Sequence, residues 1–513
     1  MTSGARQSRA RGRGSVPSME LDAVHCYRAL RSRDRRFDGR FFTAVTTTGI
    51  YCRPICPAPP PRRENVRFFP CAAAAEDAGF RPCLRCRPET APGTPAWQGT
   101  SAVVSRGLRL IGEGALDTGT VGALAGRLGI GERQLRRLFL RHLGTSPHSL
   151  AQARRLHFAR TLVDETDLPM TEVAFAAGFQ SIRQFNHALR ARFRESPRRL
   201  RACRGSRALS AGDAVTLRLA YRPPLDWEGA LRFLEPRATR GVERIECGVY
   251  HRTVEVQGAA GTIEVANGTN GAHLVLHARL GDPSGLLETV DRVRRLFDLN
   301  ADPLRIARDL ERSAGSRLGA ALRGTRGLRV LGAWDGFELA VRAILGQQVS
   351  VAGASTLCGR LVEAFGKPVS FGPGLTHLFP SAQALAHAEI ATIGIPRARA
   401  HTLRTLARAV ADRTLLLDAA RGLDDAVSRL CSIPGIGTWT AHYIAMRAFA
   451  EPDAFPASDL GLRKALAEEG APLSAAKVTG LAEAWRPWRA YAAMALWNAG
   501  SCSPVRDPGR AVD

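Results

Sequence analysis

Two closely spaced pairs of cysteines constrain the fold of this chain most strongly. Three residues separate Cys52 from Cys56, two separate Cys83 from Cys86, and the two pairs lie far apart along the chain. Such pairs can converge as four thiolates on one tetrahedral ion, for which zinc is the usual choice. The chain has 11 cysteines, and an odd number disfavours a disulfide framework. The sequence therefore predicts a small domain built around Zn²⁺, and a purely structural zinc ribbon is the simplest form of that prediction.

The length and charge of the chain point to several domains and to a polyanionic partner. A chain of 513 residues exceeds what one core usually supports. The 72 lysines and arginines outnumber the 47 acidic residues, and the net charge of +25 favours nucleic acid. No stretch approaches the 18 or more apolar residues of a membrane span, and the N-terminus lacks the apolar core of a secretory signal. We therefore expect a cytoplasmic protein with no membrane contact.

Changes in composition divide the chain into segments, and their periodicity predicts a multidomain α+β fold. The apolar positions repeat at helical spacing in two long regions, with a β-rich stretch of alternating residues between them. The predicted parts are a disordered basic tail (1–18), a small zinc domain (19–90), a linker (91–99), an all-α double helix-turn-helix (100–202), a second linker (203–212), a small antiparallel β-sheet/α domain (213–300), an all-α helix-hairpin-helix domain (301–500) and a tail (501–513).

The residues around the cysteines carry a specific motif. Residues 47–56 read Thr-Thr-Gly-Ile-Tyr-Cys-Arg-Pro-Ile-Cys, residues 63–66 read Arg-Glu-Asn-Val, and residues 79–86 read Gly-Phe-Arg-Pro-Cys-Leu-Arg-Cys. This pattern resembles the N-terminal domain of the Ada family of bacterial alkylation-response proteins. The resemblance implies that Cys52 irreversibly accepts a methyl group from a methylphosphotriester in DNA, while Cys52, Cys56, Cys83 and Cys86 hold zinc. The proline-rich residues 57–61 depart from the family by being stiffer and less basic.

Methylation of one thiolate would act as an electrostatic switch. Four thiolates on a divalent ion leave a local charge near −2, which keeps the sulfurs nucleophilic. One methyl group changes that charge to about −1 and weakens the repulsion of the DNA backbone, where phosphate contacts dominate affinity. The predicted zinc site is therefore also a predicted sensor.

Two helix-turn-helix units follow about fifty residues apart. The first comprises residues 121–139 and the second residues 171–190, with a connecting helix expected around residues 154–163. The pattern resembles the AraC-type DNA-binding domain, whose two units enter successive segments of the major groove. Side chains on the second helix of each unit can reach base edges or phosphates, and some of them are expected to contact phosphate only. The candidates are Arg133, Gln134, Arg136, Arg137, Ser181, Arg183, Gln184 and His187.

The C-terminal region contains a predicted helix-hairpin-helix. Its turn includes Pro434, Gly435 and Gly437, whose exposed backbone can cradle a DNA phosphate. Downstream, Asp459 stands at a predicted helix start, where helix capping alone would explain an aspartate.

The wider context resembles the AlkA family of inducible 3-methyladenine DNA glycosylases. Residues 343–350, 435–443 and 485–491 carry the resemblance, together with Trp497 and the preceding β-rich part; it covers about residues 213–500. It implies that Asp459 is the catalytic carboxylate and that Gln348 is the wedge that fills the vacated base stack. The implied pocket for a flipped cationic base is aromatic and consists of Trp439, Tyr443 and Trp497.

Trp439 also bears on the reaction type. Relatives that cleave the DNA backbone as well place a Schiff-base lysine at this position, and only three lysines occur in the chain. A monofunctional glycosylase is therefore predicted. Trp485 and Trp488 are interpreted as core residues.

The leading hypothesis is a bacterial DNA alkylation repair and response protein. It would transfer a methyl group to Cys52, activate transcription through helix-turn-helix binding, and excise alkylated bases such as 3-methyladenine. The expected partners are alkylated and promoter double-stranded DNA, with RNA polymerase at activated promoters and nucleoid association when DNA-bound. The alternative is a transcription regulator whose glycosylase-like half binds DNA without catalysis.

Overall fold

The computed structural model describes residues 22–92, 102–202, 214–467 and 471–501. The predicted basic tail (1–18), most of the first linker, the whole second linker and the C-terminal tail beyond Ser501 lie outside these residues. Within the described ranges, no helix combines the length and apolarity that crossing a bilayer requires.

The N-terminal part is a four-stranded sheet with order β3-β1-β2-β4, flanked by two helices. β2 and β4 are parallel neighbours, with Tyr51 opposite Pro82. Because parallel strands end at the same edge, Cys52 at the end of β2 lies beside Cys83, which directly follows β4. The elements are α1 (Ala23–Arg31), β1 (Phe42–Val45), β2 (Ile50–Cys52), β3 (Val66–Phe69), α2 (Ala72–Asp77) and β4 (Arg81–Pro82).

Seven helices form the next part, in agreement with the all-helical prediction. Leu135 and Phe139, four residues apart on one helix, are both buried. The connecting helix is longer than expected because Ser146 caps it by accepting from the Ser149 amide, and Pro147 occupies its first position. The helices are α3 (Ala102–Gly112), α4 (Val121–Arg127), α5 (Glu132–Leu143), α6 (Pro147–Glu165), α7 (Met170–Ala176), α8 (Ile182–Phe193) and α9 (Pro197–Ala202).

The β-rich part is a five-stranded antiparallel sheet with order β5-β9-β8-β7-β6. Leu217 and Leu219 on β5 alternate inward, as the sequence pattern predicts. The sequence does not predict strand β6, because charged residues occupy three of its four positions and no alternation of apolar and polar residues is visible. The elements are β5 (Val215–Ala220), α10 (Trp227–Leu234), β6 (Glu243–Glu246), β7 (Val249–Val256), β8 (Ala259–Asn267), β9 (His273–Leu280) and α11 (Leu286–Leu296).

The C-terminal part is helical apart from one antiparallel pair of two-residue strands, which departs from the all-α expectation. Strands this short carry no readable periodicity. The strands are β10 (Lys367–Pro368) and β11 (His377–Leu378). The helices are α12 (Pro303–Glu311), α13 (Ser316–Gly324), α14 (Gly336–Leu345), α15 (Val351–Phe365), α16 (Ala382–Ala386), α17 (Arg397–Ala411), α18 (Leu423–Cys431), α19 (Thr438–Arg447), α20 (Leu460–Ala465), α21 (Ala475–Ala482) and α22 (Arg489–Ser501).

The parts pack against one another through apolar and charged contacts. One hydrophobic cluster runs from Leu156 of α6, through the sheet, to Leu496 of α22. The core of the first helix-turn-helix includes Ala420 from the C-terminal part. Nearby, Arg127 of α4 forms an ion pair with Asp418 at 3.0 Å. The helix-turn-helix part therefore lies directly on the helical C-terminal part.

Candidate functional site

Four cysteine sulfurs meet at the edge of the N-terminal sheet. The Sγ atoms of Cys52, Cys56, Cys83 and Cys86 all lie within 4.8 Å of one another. The Cys83 amide donates to the Tyr51 carbonyl at 3.0 Å, which fixes the second pair beside the first. Four thiolates at this separation fit one tetrahedral zinc ion.

Exposure distinguishes one of the four sulfurs. Cys52 is only partly buried, whereas the other three ligands are buried. Cys52 is thus the ligand residue with the most accessible surface.

Arg53 is a further charged residue of this site that the sequence did not single out. Its backbone amide donates to Cys86 Sγ at 3.4 Å, and its guanidinium donates to the Asp38 carboxylate at 2.8 Å. An amide donor reduces the charge on the sulfur, and Asp38 holds the guanidinium in place. Its position directly after a ligand was the available signal.

The eight predicted DNA-reading side chains are all exposed on or beside α5 and α8. Three of them have local partners. Ser181 caps α8 by accepting from the Gln184 amide, the Gln184 side chain accepts from the Gln180 amide, and Arg136 forms an ion pair with Glu132 at 2.7 Å. The other five point into solvent from the same helices: Arg133, Gln134, Arg137, Arg183 and His187.

A surface groove follows the face of α8. Asn186 and Arg190 line it together with Arg183 and His187, although neither was predicted. Their helical spacing from Arg183 was the signal that placed them on this face.

The predicted hairpin joins α18 to α19. Gly435 has φ +89°, and a Cβ there would lie 2.1 Å from Thr402 Oγ1, so both backbone and space require glycine. Gly437 occupies the N-cap position of α19, and Pro434, Gly435 and Gly437 are exposed, whereas Ile433 and Ile436 of the same turn are buried. The backbone of the turn is thus free to meet a phosphate.

The predicted wedge lies on a turn after α14. Gln348 is exposed with φ +58°, and the neighbouring Val349 and Val351 are 39% and 43% exposed. Gln347 connects this turn to the hairpin, because its amide nitrogen donates to the Gly435 carbonyl at 3.0 Å and to Thr440 Oγ1 at 2.9 Å. The sequence signal for this bridging role is the position of Gln347 directly before Gln348.

Asp459 both caps a helix and contacts the aromatic residues of the predicted pocket. Its Oδ1 accepts from the Leu462 amide at 3.0 Å and so caps α20. The same oxygen accepts from the Trp497 indole at 2.9 Å, and Oδ2 accepts from the Trp439 indole at 3.1 Å. One carboxylate therefore joins the helix start to two rings of the predicted pocket.

The aromatic residues form an ordered surface beside this carboxylate. The rings of Trp439 and Tyr443 stack with centroids 5.3 Å apart and an angle of 9°, and Trp497 lies 6.3 Å from Tyr443. Trp485 and Trp488 are buried, as expected of core residues. The arrangement offers flat, electron-rich faces next to an acid, which suits a cationic base.

Two residues behind the pocket were missed. Arg447 donates to the Tyr443 hydroxyl at 2.8 Å from the same helix face, one turn later. His442 Nδ1 accepts from the Phe455 amide at 3.2 Å and so fixes the loop before Asp459. Burial and the nearby Arg489 lower the pKa of His442 to about 4, which keeps it neutral as an acceptor.

Comparison with protein families assigns each part. The metal binding domain of Ada matches residues 25–89 and a helix-turn-helix domain matches residues 124–202. The AlkA N-terminal domain matches residues 216–335, and the HhH-GPD superfamily of base excision DNA repair proteins matches residues 341–494. These matches, with the cysteine cluster, confirm the predicted zinc and make DNA the partner.

Relatives with this organisation include a Mycobacterium tuberculosis protein described as a probable bifunctional transcriptional activator/DNA repair enzyme AlkA. It is 44% identical over 94% of this chain and 97% of its own length. DNA-3-methyladenine glycosylase 2 of Escherichia coli is 34% identical over 56% of this chain and 98% of its own length. The Escherichia coli bifunctional transcriptional activator/DNA repair enzyme Ada is 37% identical over 30% of this chain and 42% of its own length.

Proposed function

Because the chain belongs to the family of bifunctional transcriptional activator/DNA repair enzymes, we propose that it performs two DNA repair reactions and couples one of them to transcription. Its C-terminal half excises alkylated bases such as 3-methyladenine as a monofunctional glycosylase. Its zinc domain accepts a methyl group from DNA methylphosphotriesters. The observation that carries the first reaction is the Asp459 carboxylate bonded to the indoles of both Trp439 and Trp497.

The glycosylase chemistry follows from the charge of the substrate. A base methylated on a ring nitrogen is cationic, so the bond from C1′ to the base can break with its electron pair moving to the base, which leaves neutral. The sugar becomes oxocarbenium-like, and Asp459 stabilises that positive charge. Water then bonds to C1′, and its proton is lost to the carboxylate or to solvent.

The pocket and the hairpin support the preceding steps. The hairpin turn binds phosphate, Gln348 occupies the space that the base leaves, and Trp439, Tyr443 and Trp497 line the pocket that receives the flipped base. No lysine stands where a Schiff base would form, since α19 carries Trp439 at that position. Hydrolysis without backbone cleavage is the outcome that these residues support.

Release of free methylated purine from methylated duplex DNA tests this activity. The unmodified protein is expected to release bases, and Asp459→Asn is expected to reduce the rate at least about a hundredfold, because the neutral amide cannot stabilise the sugar cation. Equal, negligible release by both proteins would support the alternative of a regulator with a silent glycosylase half.

The methyl transfer reaction is assigned to Cys52. Its Sγ forms a bond with the methyl carbon while the carbon–oxygen bond breaks, and the electron pair stays on the phosphate, which regains its charge. Zinc, when bound, keeps the four sulfurs as thiolates at neutral pH. The partial exposure of Cys52 supports this residue over the three buried ligands.

Transfer of labelled methyl groups tests this assignment. Cys52→Ala should abolish transfer, while Cys71→Ala should retain it, because Cys71 is buried against the Leu143 carbonyl, apart from the cluster. If Cys52→Ala still accepts the methyl group while Cys71→Ala does not, the acceptor is a residue other than Cys52.

The regulatory role rests on the charge of the zinc site. The methylated protein, less repelled by phosphate, binds promoter DNA through α5 and α8 and contacts RNA polymerase there. Its affinity for promoter fragments should rise on methylation, and equal affinity before and after methylation would contradict this role.

A further inference from the structure

Arg447 is a buried arginine whose guanidinium makes three hydrogen bonds. It is 3% exposed. Its Nε donates to the Leu331 carbonyl at 2.8 Å, one terminal nitrogen donates to the Gly332 carbonyl at 2.9 Å, and the other donates to the Tyr443 hydroxyl at 2.8 Å. Two backbone carbonyls thus fix the guanidinium, and the third contact extends to the base pocket.

This contact determines how the Tyr443 hydroxyl can bond. Arginine has only donors, so the phenol oxygen must accept from it, and the phenol's own proton is left to donate elsewhere. Arg237, which also interacts with this hydroxyl, has only donors too, and no acceptor among the described residues takes the phenol proton. Within the described residues, the phenol proton is therefore not committed to a partner.

The surroundings of Tyr443 keep its hydroxyl in a positive environment. The guanidinium of Arg447 lies 5.5 Å from the Tyr443 ring centroid and 5.1 Å from that of Phe233, and Arg237 lies 3.9 Å from Phe233. Burial acts to raise the pKa of Tyr443, but Arg447, Arg237 and Arg342 outweigh it and lower the pKa. A phenol in such a field is a stronger hydrogen-bond donor.

We propose that Arg447 is a positioning residue of the glycosylase reaction: it holds the Tyr443 hydroxyl as an acceptor and so directs the Tyr443 proton to the departing base. The inference rests on the proposed base excision. As the glycosidic bond breaks, its electron pair moves onto the base, and acceptor atoms at the base edge become more basic. A donor at that edge therefore binds the transition state more strongly than the ground state, which raises kcat.

The same bond serves the stacking geometry. Tyr443 is parallel to Trp439, and Trp439 is bonded in turn to Asp459. The hydrogen bond to the hydroxyl keeps the Tyr443 ring parallel to Trp439 before DNA binds. The pocket therefore loses little conformational freedom on binding.

A double-mutant cycle on single-turnover base release from methylated duplex DNA, with protein in excess, tests the proposal. Tyr443→Phe removes the proton and Arg447→Met removes the residue that orients it. Each single variant is expected to lose about tenfold in rate, the size of one hydrogen bond. The double variant should lose no more than Arg447→Met alone, and affinity for undamaged duplex should stay within about twofold throughout.

Two further variants separate positioning from structural support. Arg447→Lys, which keeps a donor, should recover part of the rate. Arg329→Met is the control, because Arg329 is also buried and donates to backbone carbonyls, including those of Asp298, Ala301 and Arg222, but has no hydrogen bond to Asp459, Trp439, Tyr443 or Trp497. It should lose thermal stability comparably and keep its single-turnover rate.

The outcomes discriminate clearly. Full additivity of the two single variants, a rate for Arg447→Met equal to that of the unmodified protein, or an equal rate loss in Arg329→Met would each overturn the role of Arg447. Absence of base release by the unmodified protein would overturn the proposed excision and this inference with it.

Discussion

Asp459 illustrates how one side chain meets a structural and a chemical demand at once. Its capping bond to the Leu462 amide fixes the carboxylate at the start of α20, and the two indole donors hold both oxygens toward the aromatic residues. A capping residue needs no second oxygen bonded to a tryptophan. The additional bonds therefore favour a role in the pocket over capping alone.

Gln347 and Gln348, on the turn after α14, are expected to have different effects on DNA binding and base excision. The Gln347 side chain donates to Gly435 and Thr440 of the hairpin, and its backbone carbonyl accepts from Arg399 at 2.8 Å, whereas Gln348 is exposed. Gln347→Ala should therefore weaken binding of undamaged duplex severalfold by loosening the turn against the hairpin. Gln348→Ala should leave that affinity nearly unchanged and slow base excision instead. Equal effects of the two variants on affinity would contradict the bridging role, and titration with a labelled duplex measures both.

His442 provides a prediction about pH. Its folded-state pKa is about 4, against about 6.5 in an unfolded chain, so the unfolded state binds an extra proton between these values. Stability should therefore fall as the pH drops from about 6.5 toward 4. His442→Asn, which can still accept from the Phe455 amide, should show a shallower fall in melting temperature between pH 7 and pH 5. Parallel curves for the two proteins would mean that His442 is not held neutral.

At the scale of elements, the sequence predicted what local spacing encodes. The cysteine pairs, both helix-turn-helix units and most sheet strands follow from short-range periodicity, and they appear in the structure. Strand β6 was not evident from the spacing, because a buried glutamate interrupts its apolar pattern and the partners of that glutamate come from other elements. Glu243, for example, accepts from the Tyr250 hydroxyl and from Arg342 at 2.9 Å. Side-chain partners such as those of Asp459 also stayed invisible, since they come from 20 and 38 residues away.

Helix α2 of the zinc domain is joined to the DNA-reading part by one buried carboxylate. Glu76 accepts from the Tyr51 hydroxyl at 2.8 Å and from His157 of α6 at 2.9 Å, and it pairs with Arg192 of α8 at 3.2 Å. Burial opposes ionisation of Glu76, but His157 and Arg192 outweigh it and keep its pKa below the ordinary value. The ionised carboxylate therefore holds two helices of the DNA-binding part.

Neutralising this carboxylate should loosen the junction. Glu76→Gln is expected to destabilise the N-terminal parts by about 2 kcal/mol, because it leaves the partly buried His157 and Arg192 without their counter-charge. Glu64→Gln is the matched control, since the Glu64 side chain is 70% exposed, and it should change stability by less than about 0.5 kcal/mol. Urea unfolding followed by circular dichroism measures both free energies of unfolding. Similar losses of stability in the two variants would contradict a stabilising role for Glu76 at this junction.

At the scale of the whole molecule, two kinds of DNA damage are assigned to two separate sets of side chains. In the proposed function, a metal-held sulfur acts on the backbone lesion, and a carboxylate among aromatic rings acts on the base lesion. The helix-turn-helix part lies between them in the chain and contacts both, through Glu76 on one side and the Arg127–Asp418 ion pair on the other. We therefore expect the two reactions to be chemically independent although they share one chain.

The most direct test of that claim uses one duplex preparation carrying both labelled methylphosphotriesters and methylated purines. Methyl transfer to protein and release of free base are measured together for the unmodified protein, Cys52→Ala and Asp459→Asn. We predict that Cys52→Ala loses only methyl transfer and that Asp459→Asn loses only base release. Loss of both activities in either variant, or the presence of neither in the unmodified protein, would contradict the account.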